Sequence, residues 1–224
     1  MLFPAMVSLG VLTAHLLTVH RARRLGLDVA LANRIVAWVL VLGFLGAVVG
    51  KWIYRPDPLW RPIAGLSSFG GMLGGLSGAA LCLGRSAVKR GDALRYCNAL
   101  AYAFPFGWVF GRGGCALVHD HPGLPAVGWL THLFADGRRY DLGLIELVFF
   151  AAPVALLFAW MARRDHNFAA LLLMLYAPFR LALDRLHENP PRIGLLTVDQ
   201  AGALVLLTLG LWFWYQDRNV PSAP

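Results

Sequence analysis

The chain reads as an all-α, polytopic helical membrane protein with about seven transmembrane helices. Three observations carry this. Of the 224 residues 58% are hydrophobic and only 14% charged. Mean hydropathy is +0.60, more apolar surface than a soluble domain of this size can hide. The apolar residues also fall into continuous runs of roughly 18–22, the length that crosses about 30 Å of hydrocarbon as helix. Short alternating segments, the mark of a transmembrane barrel, are missing from the sequence.

The spans follow in order. The first covers about Leu2 to Val19 and ends at His20-Arg21-Ala22-Arg23-Arg24. It lacks a basic segment before it and a small-residue cleavage site after it, so it reads as a retained span and not a signal peptide. The second runs from about Ile35 to Tyr54, where Pro56-Asp57-Pro58 forces a turn. The third, about Ala64 to Leu83, carries Gly65, Gly70, Gly71, Gly74, Gly75 and Gly78. That spacing lets helix backbones approach closely in lipid. The fourth covers about Leu94 to Phe110, and a long segment then runs to Tyr140 with an interfacial helix expected around Trp129. The fifth, sixth and seventh are about Leu142 to Ala162, Phe168 to Leu186 and Leu195 to Tyr215. Neither an internal repeat nor a low-complexity linker divides the chain, so one domain over residues 1–224 is expected, with an outward motif-bearing segment at about 111–140.

Lysine and arginine in short loops set orientation. Arg21, Arg23, Arg24, Arg85, Lys89, Arg90, Arg95, Arg163, Arg164 and Arg218 share one side if the spans alternate, which makes that side cytoplasmic. The amino terminus then faces outward and the carboxyl terminus the cytoplasm. Lys51, Arg55, Arg61, Arg112, Arg138, Arg139, Arg180, Arg185 and Arg192 remain on the outer side, a number that calls for a reason other than topology. The net charge of +8 forms no single face or tail, so nucleic acid is not an expected partner. The cysteines Cys82, Cys97 and Cys115 have neither disulfide nor zinc spacing. No cofactor is expected. The glycines of the third span lack the Lys-Ser or Lys-Thr of a nucleotide loop.

Charge converges on the outer edge from several segments. Lys51 ends the second span, Arg112 and Asp120 open the long segment, and Glu146 lies within the fifth span. Arg180 and Asp184 stand four residues apart on one face of the sixth, with His187-Glu188 following. Ionisable groups at that depth are costly unless paired, and so mark either a structural pair or a functional site. Arginine suits phosphate because its planar fork makes two parallel charge-assisted bonds and stays protonated. His119-Asp120-His121, with His132 as a third donor, is too weak a pattern to expect a metal. His15, in the middle of the first span, reads as a packing residue.

Motif by motif, the chain resembles the bacterial prolipoprotein diacylglyceryl transferase family over nearly its whole length. The similarity runs through Arg23-Arg24-Leu25-Gly26-Leu27, Gly50-Lys51 and Gly65-Leu66-Ser67-Ser68-Phe69-Gly70-Gly71. It continues in Gly111-Arg112-Gly113-Gly114-Cys115 with Asp120 and Gly123, then Tyr140-Asp141-Leu142-Gly143-Leu144-Ile145-Glu146. Phe179-Arg180 with Asp184, and Gly194-Leu195-Leu196-Thr197-Val198-Asp199-Gln200, complete it. Departures are Phe69 for a histidine, Cys115 for an asparagine, Asp120 and Asp184 for glutamates, Thr13 for a tyrosine and Tyr140 for a histidine.

The resemblance implies an inner-membrane enzyme that moves the diacylglyceryl group of phosphatidylglycerol, or another glycerophospholipid, onto the lipobox cysteine thiol of a preprolipoprotein. It implies that Arg112 and Arg180 hold the phosphate beside Asp120, Glu146 and Asp184. Lys51, Ser67, Gly70, Gly71, Gly114, Cys115, Gly123, His187 and Gln200 would then line the substrate. Because Phe69 cannot carry a proton, the base would be His119 or His121, ahead of His187. A non-catalytic lipid- or lipoprotein-binding paralogue is the alternative, and a small transporter, lacking an inverted repeat, is a third.

Overall fold

The computed structural model describes residues 2–54, 66–163 and 166–219. The turn expected at Pro56-Asp57-Pro58, the start of the third span at Ala64 and Gly65, and the basic residues Arg55, Arg61 and Arg164 lie outside the described residues. Helix α1 (Leu2–Arg24) packs along α4 (Arg90–Val118), and α2 (Val29–Tyr54) along α3 (Ser68–Gly84). Glycine sets both contacts. A β-carbon on Gly10 would stand 2.5 Å from the Gly107 carbonyl oxygen, and one on Gly74 only 2.1 Å from that of Leu42. The glycine spacing of the third span thus does what the sequence predicts for it. Ser67 caps α3 by accepting the Gly70 amide at 3.0 Å.

The fifth rod is α5 (Leu142–Phe149), a π turn (Phe150–Val154) and α6 (Ala155–Met161). Pro153 lies in the wide turn. It has no N–H to give, and its ring would crowd a regular helix. Asp141 starts α5 by accepting the Leu144 amide at 3.1 Å. Asn167 caps α7 (Phe168–Asp184) and also donates to the Phe213 carbonyl of α8 (Val198–Asn219) at 2.8 Å. Asp184, at the other end of α7, bonds Thr197 and Gln200 at the start of α8, so the two helices run antiparallel. The interior is aromatic: Phe150, Phe158, Phe168 and Tyr176 are fully buried, and Phe149 stacks on Phe179 at 3.8 Å. Leu12, Leu16, Val41 and Trp160 are instead exposed, the arrangement of a surface meant for lipid.

Among the described residues four helices are long and apolar enough to cross a bilayer: α1, α2 over Val29–Ile53, the rod Leu142–Met161, and α8. Helix α3 is a shorter apolar helix, while α4 and α7 carry Arg112 and Arg180 inside them. The chain is therefore an all-α multi-pass membrane protein, with these four helices as its candidate crossings among the described residues.

Two expectations between α4 and α5 are corrected. Helix α4 does not stop at Phe110 but continues to Val118, so the Gly-Arg motif is helical and not the start of a loop. No helix forms around the exposed Trp129. That segment is an antiparallel sheet of β1 (Pro122–Pro125), β2 (Thr131–Phe134) and β3 (Gly137–Asp141), in the order β1-β3-β2. Gly128 and Gly137, at φ 131° and 125°, make turns that a helix cannot hold. A hairpin of β4 (Arg192–Ile193) and β5 (Leu196–Thr197) occupies the expected start of the seventh span, and α8 begins after it.

If the glycine contact holds α2 on α3, Gly74→Leu should cost about 1–3 kcal/mol and lower the thermal unfolding midpoint in detergent. Gly84→Ala, with nothing within 4 Å of its β-carbon, should leave the midpoint nearly unchanged. Equal midpoints for Gly74→Leu and the unaltered chain would show that the close approach is dispensable.

Candidate active site

Glu146, one turn into α5 and 1% exposed, is the centre of a buried polar cluster. Its Oε1 accepts from the Trp108 indole at 3.1 Å and the Tyr176 hydroxyl at 2.9 Å. Its Oε2 pairs with Arg112 from α4, and Arg180 from α7 approaches the same oxygen at 3.7 Å. Both arginines are more than nine-tenths buried. Trp108 precedes Arg112 by one turn and lies under its guanidinium at 5.5 Å. Tyr176 precedes Arg180 by one turn, so each arginine arrives with a partner for Glu146 on the same helix face.

Asp199, in the first turn of α8, holds Arg180 from the other side in a buried ion pair. Arg180 and Asp184 therefore do not pair with each other. Asp184 Oδ2 instead accepts from Thr197 Oγ1 at 2.9 Å and Gln200 Nε2 at 2.8 Å. Trp108 and Tyr176 stand outside every motif of the sequence, and Thr197 and Asp199 enter only within Gly194–Gln200, without a role of their own. The one-turn spacing of Trp108 and Tyr176 from the arginines was the available signal for two of them.

The other expected residues divide. Cys115 is buried, with Arg112 Nη1 at 3.8 Å from its sulfur. His119 ends α4 in the left-handed conformation, bonds Asp141 and stacks on His132 at 3.5 Å between ring centres. Asp120 pairs with His121 at the rim. Burial works to raise the Asp120 carboxyl, but the bond and charge of His121 outweigh it and hold that carboxyl below the ordinary carboxylate range. Gly70 and Gly71 pack on α2, Gly114 meets Phe3 and Met6 of α1, and Gly123 seats the sheet against Leu186 and Leu142. These four glycines have packing roles whatever else they do. Lys51 is half-buried near the end of α2, and Ser67 is the cap already described. Donor atoms of Cys115, Asp120 and His121, and of Asp184, His187 and Asp199, come within 4.8 Å of one another. Each set has an arginine beside it, which disfavours a cation there.

The sequence pattern that defines prolipoprotein diacylglyceryl transferase matches residues 2–216. The chain belongs to that family. It is similar to the phosphatidylglycerol–prolipoprotein diacylglyceryl transferase of Nitratidesulfovibrio vulgaris, 29% identical over 182 residues, 74% of this chain. The match spans 65% of that relative, so this chain covers just under two thirds of its length. Phe69, which the resemblance sets against a histidine, lies beside this cluster. Its ring, 3% exposed, lies 5.6 Å below the Arg180 guanidinium and against Gly202, where a β-carbon would come within 1.9 Å of it.

His187, half-buried just past α7, is depressed below the ordinary histidine value. Burial is the main cause and the Arg180 guanidinium the next, outweighing the upward pull of Asp199 and Asp184. A histidine with a lowered folded pKa binds fewer protons folded than unfolded, so stability rises with pH in that window. This contribution is whole above about 6.5, the unfolded value, and falls away as pH drops below it. His187→Gln should therefore flatten the decline in thermal stability between pH 7.5 and 5.5. An unaltered decline in that variant would place the acid sensitivity elsewhere.

Proposed function

We propose that this protein transfers the diacylglyceryl group of phosphatidylglycerol to the cysteine thiol of a lipobox-containing preprolipoprotein. The observation that supports it most is the convergence of Arg112 and Arg180, from different helices, on one buried carboxylate. Family membership and the name of the relative point the same way. In this reading the thiolate sulfur attacks the glycerol carbon that bears the phosphate. The carbon–oxygen bond breaks, its electron pair leaves with glycerol phosphate, and a thioether remains. Arg112 and Arg180 hold the phosphate and meet the charge growing on the departing oxygen. Glu146, with Trp108 and Tyr176, keeps the arginines in place, and Asp199 and Asp184 steady Arg180 and the start of α8. Cys115, Lys51, Ser67 and Gln200 border the same end and would contact the lipid.

The thiol must lose its proton, because thiolate is the nucleophile. His121, oriented by Asp120, and His187, kept neutral near pH 7 by burial and Arg180, are the proton acceptors at this end. His119 is engaged by Asp141 and His132 and orders the helix end. The basic residues Arg21, Arg24, Arg90, Arg95 and Arg163 gather at the opposite end of the bundle. By the positive-inside rule this supports a site at the outer face of a bacterial inner membrane, with the amino terminus outside and the carboxyl terminus in the cytoplasm. One observation favours a second reading, a lipid-binding protein without transfer: the Phe69 ring, which cannot move a proton, fills the place beside Arg180.

Purified protein incubated with labelled phosphatidylglycerol and a lipobox peptide should yield a labelled peptide and free glycerol phosphate. Arg112→Lys and Arg180→Lys should lower the rate at least about a hundredfold, since a point charge lacks the bidentate fork. His121→Gln and His187→Gln should separate the base by moving the pH profile. Lipid binding with no labelled peptide would favour the second reading. Near-normal rates in both lysine variants would remove the arginines from the reaction.

A further inference from the structure

A second basic site lies at the far end of the bundle. The start of α1 touches Gly114 on α4 beside the Arg112 cluster, through Phe3 and Met6. The last turn of this 23-residue helix is therefore about 30 Å away along its axis. There Arg21, Arg24 and Leu25 from α1, with Ala162 and Arg163 after α6, enclose a cavity of about 210 Å³. Helix termini near a basic membrane face commonly carry arginine for topology and for the helix dipole, and such residues reach into water. Arg24 and Arg163 are exposed in that way. Arg21 is not: it is 6% exposed and points into the bundle.

Arg21 is also held rigidly. Its Nη1 donates to the Ala162 carbonyl at 3.2 Å, and its guanidinium lies over the rings of Tyr102 at 4.6 Å and Phe168 at 4.5 Å. Two exposed arginines thus line a small opening together with a buried one. The cavity is below the roughly 300–1,000 Å³ of sites for drug-sized ligands, a size suited to a single phosphate group. Guanidinium forks are the side chains that match phosphate oxygens. The ends of α1 and α6, two of the apolar helices, put the opening at the headgroup level, where basic pockets between helices take anionic lipid.

We propose that this pocket binds the phosphate of an anionic phospholipid from the leaflet opposite the Arg112–Arg180 site. The lipid pins the end of α1 to the end of α6, and the pocket is independent of any transfer reaction.

The test uses the full chain in phosphatidylcholine nanodiscs, with Arg112→Lys and Arg180→Lys introduced to weaken the other phosphate site. Thermal unfolding is followed as phosphatidic acid is titrated in. Phosphatidic acid should raise the midpoint, and added Arg24→Gln and Arg163→Gln should weaken that response at least tenfold. Arg21→Lys, which keeps the charge but loses the fork, should weaken it as well. Inorganic phosphate and glycerol phosphate should give little shift at the same phosphate concentration. The proposal is overturned if the response stays within twofold after Arg24→Gln and Arg163→Gln. It is overturned equally if free phosphate matches the lipid, which would make the pocket a soluble-anion site.

Discussion

Glu146 puts a negative charge between two arginines in the interior of a helical bundle, where an unpaired charge is costly. Breaking a buried pair by removing one partner costs about 3–5 kcal/mol, because a charge is left unpaired. Helices α4, α5 and α7 are bound to one another through that carboxylate, and Asp199 brings in α8. Among the described residues, two arginines face two acids in the inner cluster. Trp108 and Tyr176 satisfy the second oxygen of Glu146 and so fix its orientation. In the proposed reaction an arriving phosphate would meet guanidinium groups whose positions are already set, the condition for electrostatic catalysis without reorganisation.

The surrounding helices serve this cluster. The glycine contacts of α1 with α4, and of α2 with α3, bring backbones close enough to leave little room for lipid between them. The π turn at Phe150–Val154 begins one turn after Glu146 and absorbs Pro153 without breaking the rod. Phe69 belongs to the same design. Its ring fills the space between Arg180 and Gly202, supplying packing and a cation–π contact. In the proposed reaction the thiol proton would then go to the sheet segment or the end of α7, where His121 and His187 stand.

The helices were legible in the sequence because lipid demands continuous apolar runs, and Arg112, Glu146 and Arg180 were legible because charge interrupts those runs. The end of α4 was not. Gly111, Gly113 and Gly114 resemble a loop by propensity, yet in a membrane helix the backbone still satisfies itself, and Gly114 gains a close contact with α1. The sheet was missed although Asp136-Gly137, set between Thr131–Phe134 and Arg138–Tyr140, is a hairpin signal. The apolar and aromatic residues around Trp129 masked it. Asp199 carries no signal of its own within the Gly194–Gln200 motif, and only the antiparallel packing of α7 and α8 brings it to Arg180.

The central claim is that Glu146 and Arg112 act as one unit. A double-mutant cycle of Glu146→Gln and Arg112→Gln, followed by equilibrium unfolding in detergent, measures this directly. Each single variant should be strongly destabilised and the double variant much less than their sum, with a coupling above about 1 kcal/mol, within the range for residues in contact. Effects that add to within about 0.5 kcal/mol, as for distant independent sites, would contradict the account.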